Sequence, residues 1–278
     1  MAVHVRYYTD PACSASWAAE PAIRRLMVEF GSDLSFEWIM GGLARDYEQG
    51  HEMDYDRLLL HWLDRAADSG MPIDPRLWRE CPIRTTYPAC MAVKAAAEQG
   101  PEAAESCLRS LREGLLCFRR KLDTTEALVE EARRAGLDAA RFRIDLSSNA
   151  IVEAFGADLD ATRAVPEAAR AAGGAKQGQG GERVVFPTIR FGDDGWVFGL
   201  RSYEEWRAAA LAAGAQLSGE PPPEVMGALR RFGRMAAIEV SSVCDLAGPR
   251  AEAELWRLAA DWRLRAVPVL TGVLFEPA

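Results

Sequence analysis

The chain has 278 residues, 49% of them hydrophobic, and a formal net charge of −8. That is enough apolar material for one large core, or for one core and a small second domain. The acidic balance gives no electrostatic reason to bind nucleic acid, because no basic surplus is present to neutralise phosphates. No apolar run reaches the length of a membrane span, and the N-terminal segment MAVHVRYYTDPACSAS lacks a signal-peptide stretch. The expectation is a cytoplasmic protein without a membrane partner, with its thiols kept reduced.

In chain order, His4 to Tyr8 reads as a β-rich strand that Asp10-Pro11 breaks. Trp17 to Phe30 follows with Ala19, Ile23, Leu26, Met27 and Phe30 near helical spacing, closed by Gly31-Ser32. Leu34 to Met40 reads as a second strand, ended by Gly41-Gly42. Strand, helix and strand make a right-handed crossover unit. From about 50 to 172 the pattern is helical. Tyr55 to Ser69 places Leu58, Leu59, Trp62 and Leu63 on one face. Tyr87 to Gln99 is alanine-rich and stops at Gly100-Pro101; Glu102 to Arg119 follows. Thr125 to Ala135 takes Asp123 as its N-cap and ends at Gly136, with further pieces at Phe142 and at Ser148 to Asp158.

Gly173 to Gly181 (GGAKQGQGG) has the composition of a flexible loop. Val184 to Phe191 reads as a strand interrupted by Pro187; the turn Gly192-Asp193-Asp194-Gly195 and the return strand Trp196 to Phe198 make a hairpin. Ser202 caps a helix over Tyr203 to Ala213, and Glu220-Pro221-Pro222-Pro223 reads as a linker. Beyond it, helices over Val225 to Phe232, Met235 to Val243 and Arg250 to Arg263 precede two short apolar runs around Thr271-Gly272, a winged-helix-like order. The third of those helices mixes acidic and basic charge, which favours packing or protein contact over a DNA groove.

The site residues follow from this order. Cys13 falls at the junction of the first strand and first helix, where partial positive charge and spare N–H donors favour a thiolate. Pro187 interrupts a strand beside it, and a cis proline there would be a fixed bend. Six cysteines, at 13, 81, 90, 107, 117 and 244, form no Cys-x-x-Cys pair, and with three histidines no zinc spacing arises. Cys90, Cys107 and Cys117 fall in helices and read as core residues, whereas Cys81, before Pro82, is the best candidate for a remote resolving thiol. His51 and His61 read as solvated or packed.

The segment Asp10-Pro11-Ala12-Cys13-Ser14-Ala15-Ser16-Trp17, followed by Glu20-Pro21, resembles the active-site segment of DsbA-family thioredoxin-like proteins of the FrnE and YjbH kind. Phe186-Pro187-Thr188 resembles their cis-proline loop. Tyr87-Pro88-Ala89-Cys90, with Ala95-Ala96 and Gln99-Gly100, resembles part of their inserted helical domain. The resemblance covers about residues 3 to 213. It implies an α/β chain, with a thioredoxin-like domain at 1–48 and 174–217 and an inserted helical domain at 49–173; the tail's own element order adds a small winged-helix-like module at 224–278. Cys13 and Ser16 would be its catalytic pair, and Pro11, Trp17, Phe186, Pro187 and Thr188 its substrate contacts. No metal is implied.

The departure lies at Ser16, where those relatives usually carry the second cysteine. A serine hydroxyl cannot attack a mixed disulfide, although it can donate a hydrogen bond to the Cys13 thiolate. Kappa-class glutathione transferases and chromene-carboxylate isomerases are also similar; they place a serine where Cys13 stands and a Ser-Trp pair like Ser16-Trp17. Three functions stay open. One is single-cysteine thiol exchange with a thiol-containing protein client or a low-molecular-weight thiol such as glutathione, no cofactor being tightly bound. The second is an adaptor that presents a client to a protease or regulator. The third is a kappa-type glutathione transferase or isomerase.

Overall fold

The computed structural model describes residues 2–48 and 54–278; His51 lies outside the described residues. The first strand, β1 (Val3–Thr9), turns its Val5 and Tyr7 fully inward. Two helices follow where the sequence suggests one. Helix α1 (Ser14–Ala18) begins directly after Cys13, and α2 (Glu20–Phe30) restarts at Glu20-Pro21, proline being favoured in a first turn, where its missing N–H costs nothing. Strand β2 (Leu34–Met40) runs parallel to β1, with Val3 opposite Leu34 and Thr9 opposite Met40.

The inserted helices are α3 (Tyr55–Ser69), α4 (Leu77–Glu80), α5 (Tyr87–Ala97), α6 (Pro101–Leu116), α7 (Thr125–Arg134), α8 (Ala139–Leu146), α9 (Asn149–Arg163) and α10 (Glu167–Ala171). Asp54 caps α3 by accepting from the Arg57 N–H at 2.8 Å, and Gly70 ends it in the left-handed region at φ 70°. The cap of α7 is Thr124 rather than Asp123; the Asp123 carboxylate instead accepts from the Arg84 N–H at 2.9 Å. Thr124 adopts the extended backbone that an N-cap needs, so it takes the position one residue later.

The glycine-rich stretch is not simply a loop. Ala175–Gly178 (β3) pairs antiparallel with Gly181–Val184 (β4), and the strand resumes after Pro187 as β5 (Thr188–Phe191), paired with β6 (Gly195–Phe198). The central sheet has the order β2-β1-β5-β6, and α11 (Tyr203–Ala212), capped by a Ser202–Glu205 box, covers it. An apolar core runs without interruption from this sheet (Val5, Tyr7, Ile189) into the inserted helices (Leu111, Val93, Phe142).

In the tail, α12 (Val225–Phe232), β7 (Met235–Ala236), α13 (Ala237–Val243), α14 (Gly248–Ala260), β8 (Leu264–Val269) and β9 (Gly272–Pro277) follow one another, with sheet order β7-β9-β8. Met235 and Ala236 thus pair with β9 instead of opening a helix. The tail has its own core around Leu229, Val240, Leu255 and Phe275. Thr271, at the tip of its hairpin, both accepts from the Ile73 N–H at 2.7 Å and donates to the Ile73 carbonyl at 3.0 Å. Among the described residues no helix is long and apolar enough to cross a membrane.

Candidate functional site

Asp10 organises the start of the site. It is fully buried at the end of β1. One carboxylate oxygen accepts from the Ala12 N–H at 2.8 Å, closing the turn that leads into Cys13. The other accepts from the Leu43 N–H at 2.6 Å, the Thr86 hydroxyl at 2.8 Å and the Cys90 thiol at 3.3 Å. One side chain therefore ties together the cysteine loop, the segment after β2 and the start of α5. Burial, with the Asp10 charge beside it, pushes the Cys90 thiol well above its ordinary range, so Cys90 remains a protonated donor. Cys90 is thus more than a packing residue, and neither Asp10 nor Thr86 is apparent from sequence pattern, because the contacts span 76 to 80 positions.

Cys13 is the N-cap of α1 and is 7% exposed. Its Sγ accepts from the Ser16 backbone N–H at 3.4 Å and lies 3.9 Å from the Phe186 carbonyl oxygen. The sequence suggests a Ser16 hydroxyl bond to the thiolate; in the structure the main-chain N–H occupies that role, and the buried Ser16 hydroxyl has no partner. The Phe186–Pro187 peptide is cis. The Phe186 ring packs so close to Gly41 that a Cβ at that position would stand 1.8 Å from its tip. Thr188 is buried, and its hydroxyl donates to the Val185 carbonyl at 2.7 Å.

A cleft of about 590 Å³ opens beside Cys13. Its apolar wall includes Leu58, Tyr47, Trp62 and Trp78, the last meeting Tyr47 and Trp62 edge to face at 5.1 Å. Burial, with Asp10 and Cys13 nearby, raises the Tyr47 phenol well above its usual range and keeps it neutral. The polar wall carries His61, Arg65, Lys176 and Arg183. Arg183 is 8% exposed, sits over the Phe186 ring at 4.0 Å from its centroid and donates to the Val184 carbonyl at 2.9 Å. Partial burial and the neighbouring Arg65 and Lys176 charges hold His61 below its ordinary range. The β3–β4 hairpin borders the cleft, and its tip is pinned by Gln179, which accepts from the Arg45 N–H at 2.8 Å and donates to the Asp46 carbonyl at 2.5 Å.

Of the residues singled out from sequence, Cys13 and Phe186 line this cleft; Pro11, Pro187 and Thr188 are buried behind it. Trp17 is a correction. Its indole is fully buried, donates to the Pro72 carbonyl at 3.0 Å and carries Arg109 over its face at 4.3 Å, so it meets the inserted helices and not a substrate. Cys81 is outside the cleft as well: its thiol donates to the Arg119 carbonyl at 3.1 Å, and burial raises its pKa. Among the described residues Cys13 carries the only sulfur lining the cleft. Two grooves of similar size, about 660 and 670 Å³, lie on the tail and beside its junction with the body; neither includes Cys13.

A profile of the thioredoxin family matches residues 7–166. The ClpXP adapter protein SpxH of Halalkalibacterium halodurans is 30% identical over 279 residues, covering 95% of this chain and 85% of that protein. Among solved structures, one from Nitrosomonas europaea, described as a candidate protein disulfide isomerase, aligns with a TM-score of 0.61 at 18% identity, over 76% of this chain and 97% of that one. The cytosolic disulfide reductase DsbM of Pseudomonas aeruginosa aligns with a TM-score of 0.55 at 19% identity, over 75% of this chain and 97% of that one. These two structures share the fold. With its sheet, its inserted helices and its matched span, the chain belongs to the thioredoxin family and has a DsbA-like fold.

Proposed function

We propose that the protein is a client-binding adaptor built on a DsbA-type thiol site, working in the cytoplasm. The observation that carries this reading is the extent of the SpxH similarity. It takes in 95% of the chain, so most of the tail falls within it, and proteins of that name are described as ClpXP adapters. Ser16 supports the same reading, since a thioredoxin-type site without a resolving thiol is poorly suited to unaided redox turnover. The test is a purified degradation assay. A client recovered on the immobilised chain is incubated with ClpXP with and without the protein. Faster client loss in its presence is expected, also with Cys13→Ser; unchanged loss would exclude an adaptor role.

A second reading is favoured by the position of Cys13 Sγ, 3.9 Å from the Phe186 carbonyl beside the cis proline. In it Cys13 forms mixed disulfides with a protein client or with a low-molecular-weight thiol, glutathione being one choice; the DsbM neighbour has been solved with GSH. Cys13 attacks a disulfide, and an external thiol then releases it. Mass spectrometry after exposure to glutathione disulfide should show one adduct at Cys13 that persists until thiol is added. An absent adduct would exclude this reading.

A further inference from the structure

We propose that the cleft beside Cys13 is a binding site for a low-molecular-weight, carboxylate-bearing thiol or disulfide, with Arg65, Lys176 and Arg183 receiving the carboxylates. The covalent part of this inference rests on the second reading above; the binding part does not.

The first observation is a local reversal of charge. The chain as a whole is acidic, at −8, yet the described lining of the cleft holds three permanent cations and neither Asp nor Glu. Elsewhere buried arginines meet carboxylates: Arg109 pairs with Glu239 and Glu113, and Arg24 with Glu239. The cleft cations have no such partner among the described residues. The Arg65 Nε is buried without an acceptor, and Arg183 is bonded to a main-chain carbonyl.

The second observation is the state of Arg183. Arg183 is a buried residue, and a guanidinium drawn out of water loses hydration that an anion would normally replace. Burial lowers its pKa below the ordinary arginine range, and Cys13, Asp10 and Tyr47 offset this only in part. Asp10 is already committed to four donors. A ligand carboxylate at this point would restore the missing charge partner, while Tyr47, Trp62 and Trp78 offer a wall for the ligand's apolar body.

The third observation decides between a small molecule and an acidic polypeptide. The Gln179 bridge joins the β3–β4 hairpin to the segment at Arg45 and Asp46. An extended chain crossing the cleft along that side would have to break it. A volume of about 590 Å³ falls within the range of small-ligand pockets. With a disulfide as ligand, the Cys13 thiolate attacks one sulfur and the ligand's S–S bond breaks. A Cys13–S–S bond forms, and the departing thiolate takes a proton from water. Cys13 is oxidised and half of the ligand is reduced, so no further oxidant is needed.

The test uses full-length Cys13→Ser protein, so that binding is read without exchange. S-methylglutathione and its diethyl ester are titrated by calorimetry. The expected result is binding of the acid, weakened by salt, with the ester about tenfold weaker. Lys176→Gln and Arg65→Gln should each weaken the acid by about fivefold and leave the ester unchanged. Lys176 is exposed and Arg65 partly so, which keeps the test valid should an Arg183→Met variant fail to fold. Equal affinity for acid and ester, or no binding of the acid, would overturn the proposal. So would an acidic hexapeptide binding more tightly than S-methylglutathione. None of these results bears on whether Cys13 forms an adduct in the unmodified protein.

Discussion

Ser16 decides what the site can do chemically. Its hydroxyl is buried with no partner, and its N–H points at the Cys13 sulfur. Replacing it with cysteine restores the dithiol spacing with a modest increase in side-chain size. Ser16→Cys should convert a persistent Cys13 adduct into an internal disulfide, seen as loss of two hydrogens by mass spectrometry after oxidation. Survival of the mixed disulfide in that variant would show that the two positions cannot meet. Asp10 decides whether the loop holds its shape. Asp10→Ala strands the Ala12 and Leu43 N–H groups and leaves the Thr86 hydroxyl only the Ala44 carbonyl at 3.4 Å, at a cost of about 3 kcal/mol or more. Urea unfolding measures it, and a loss below about 1 kcal/mol would mean that water replaces the carboxylate.

At the scale of elements, the β-α-β start, the helical insertion and the late hairpin were legible because each carries its own periodicity and its own stop signals. The β3–β4 hairpin was not. Lys176, Gln177 and Gly178 alternate little, and a glycine-rich stretch reads as a loop whether or not it pairs. Arg183 was lost with it: a lone arginine before two valines gives no hint that it folds over Phe186 and faces Cys13. The site was legible where it is local, in Cys13, Ser16 and Pro187, and silent where it depends on contacts between distant segments. Gly41 is a further case. Its role as a stop after β2 was readable, but not the Phe186 ring against it. Gly41→Val should displace that ring and cost about 1–3 kcal/mol. An unchanged thermal midpoint would mean that the cis-proline loop yields freely.

At the scale of the whole molecule, a buried ionic network joins the tail to the body. Arg109 bonds Glu239 of α13 through two nitrogens, at 2.8 and 3.0 Å, while also meeting Glu113 and Glu20. Arg24 of α2 reaches the same Glu239 at 3.0 Å, and Arg112 contacts Glu20. Burial alone would raise the Glu20 pKa, but Arg112, Arg109 and Arg24 outweigh it and hold the carboxylate below its usual 4.5. A group depressed in the folded state stabilises fully above its unfolded pKa and loses that contribution as pH falls through the folded value. The packing of α2 against α6 should therefore weaken in acid below about pH 4.5. Amide exchange in α2 reads this directly. The Glu20→Gln variant should lose much of the dependence, and an equal acid response in both proteins would assign it elsewhere.

The exposed linker between α11 and α12 has a different consequence. It is tethered to the body by few bonds, among them the Ser218 N–H to the Glu29 carbonyl at 2.8 Å, and such segments are where proteases cut. Cleavage there would sever the covalent path and leave the Glu239 and Thr271 contacts in place. The two fragments should elute together from a sizing column at neutral pH, behaving as a noncovalent heterodimer of a chain that was once continuous.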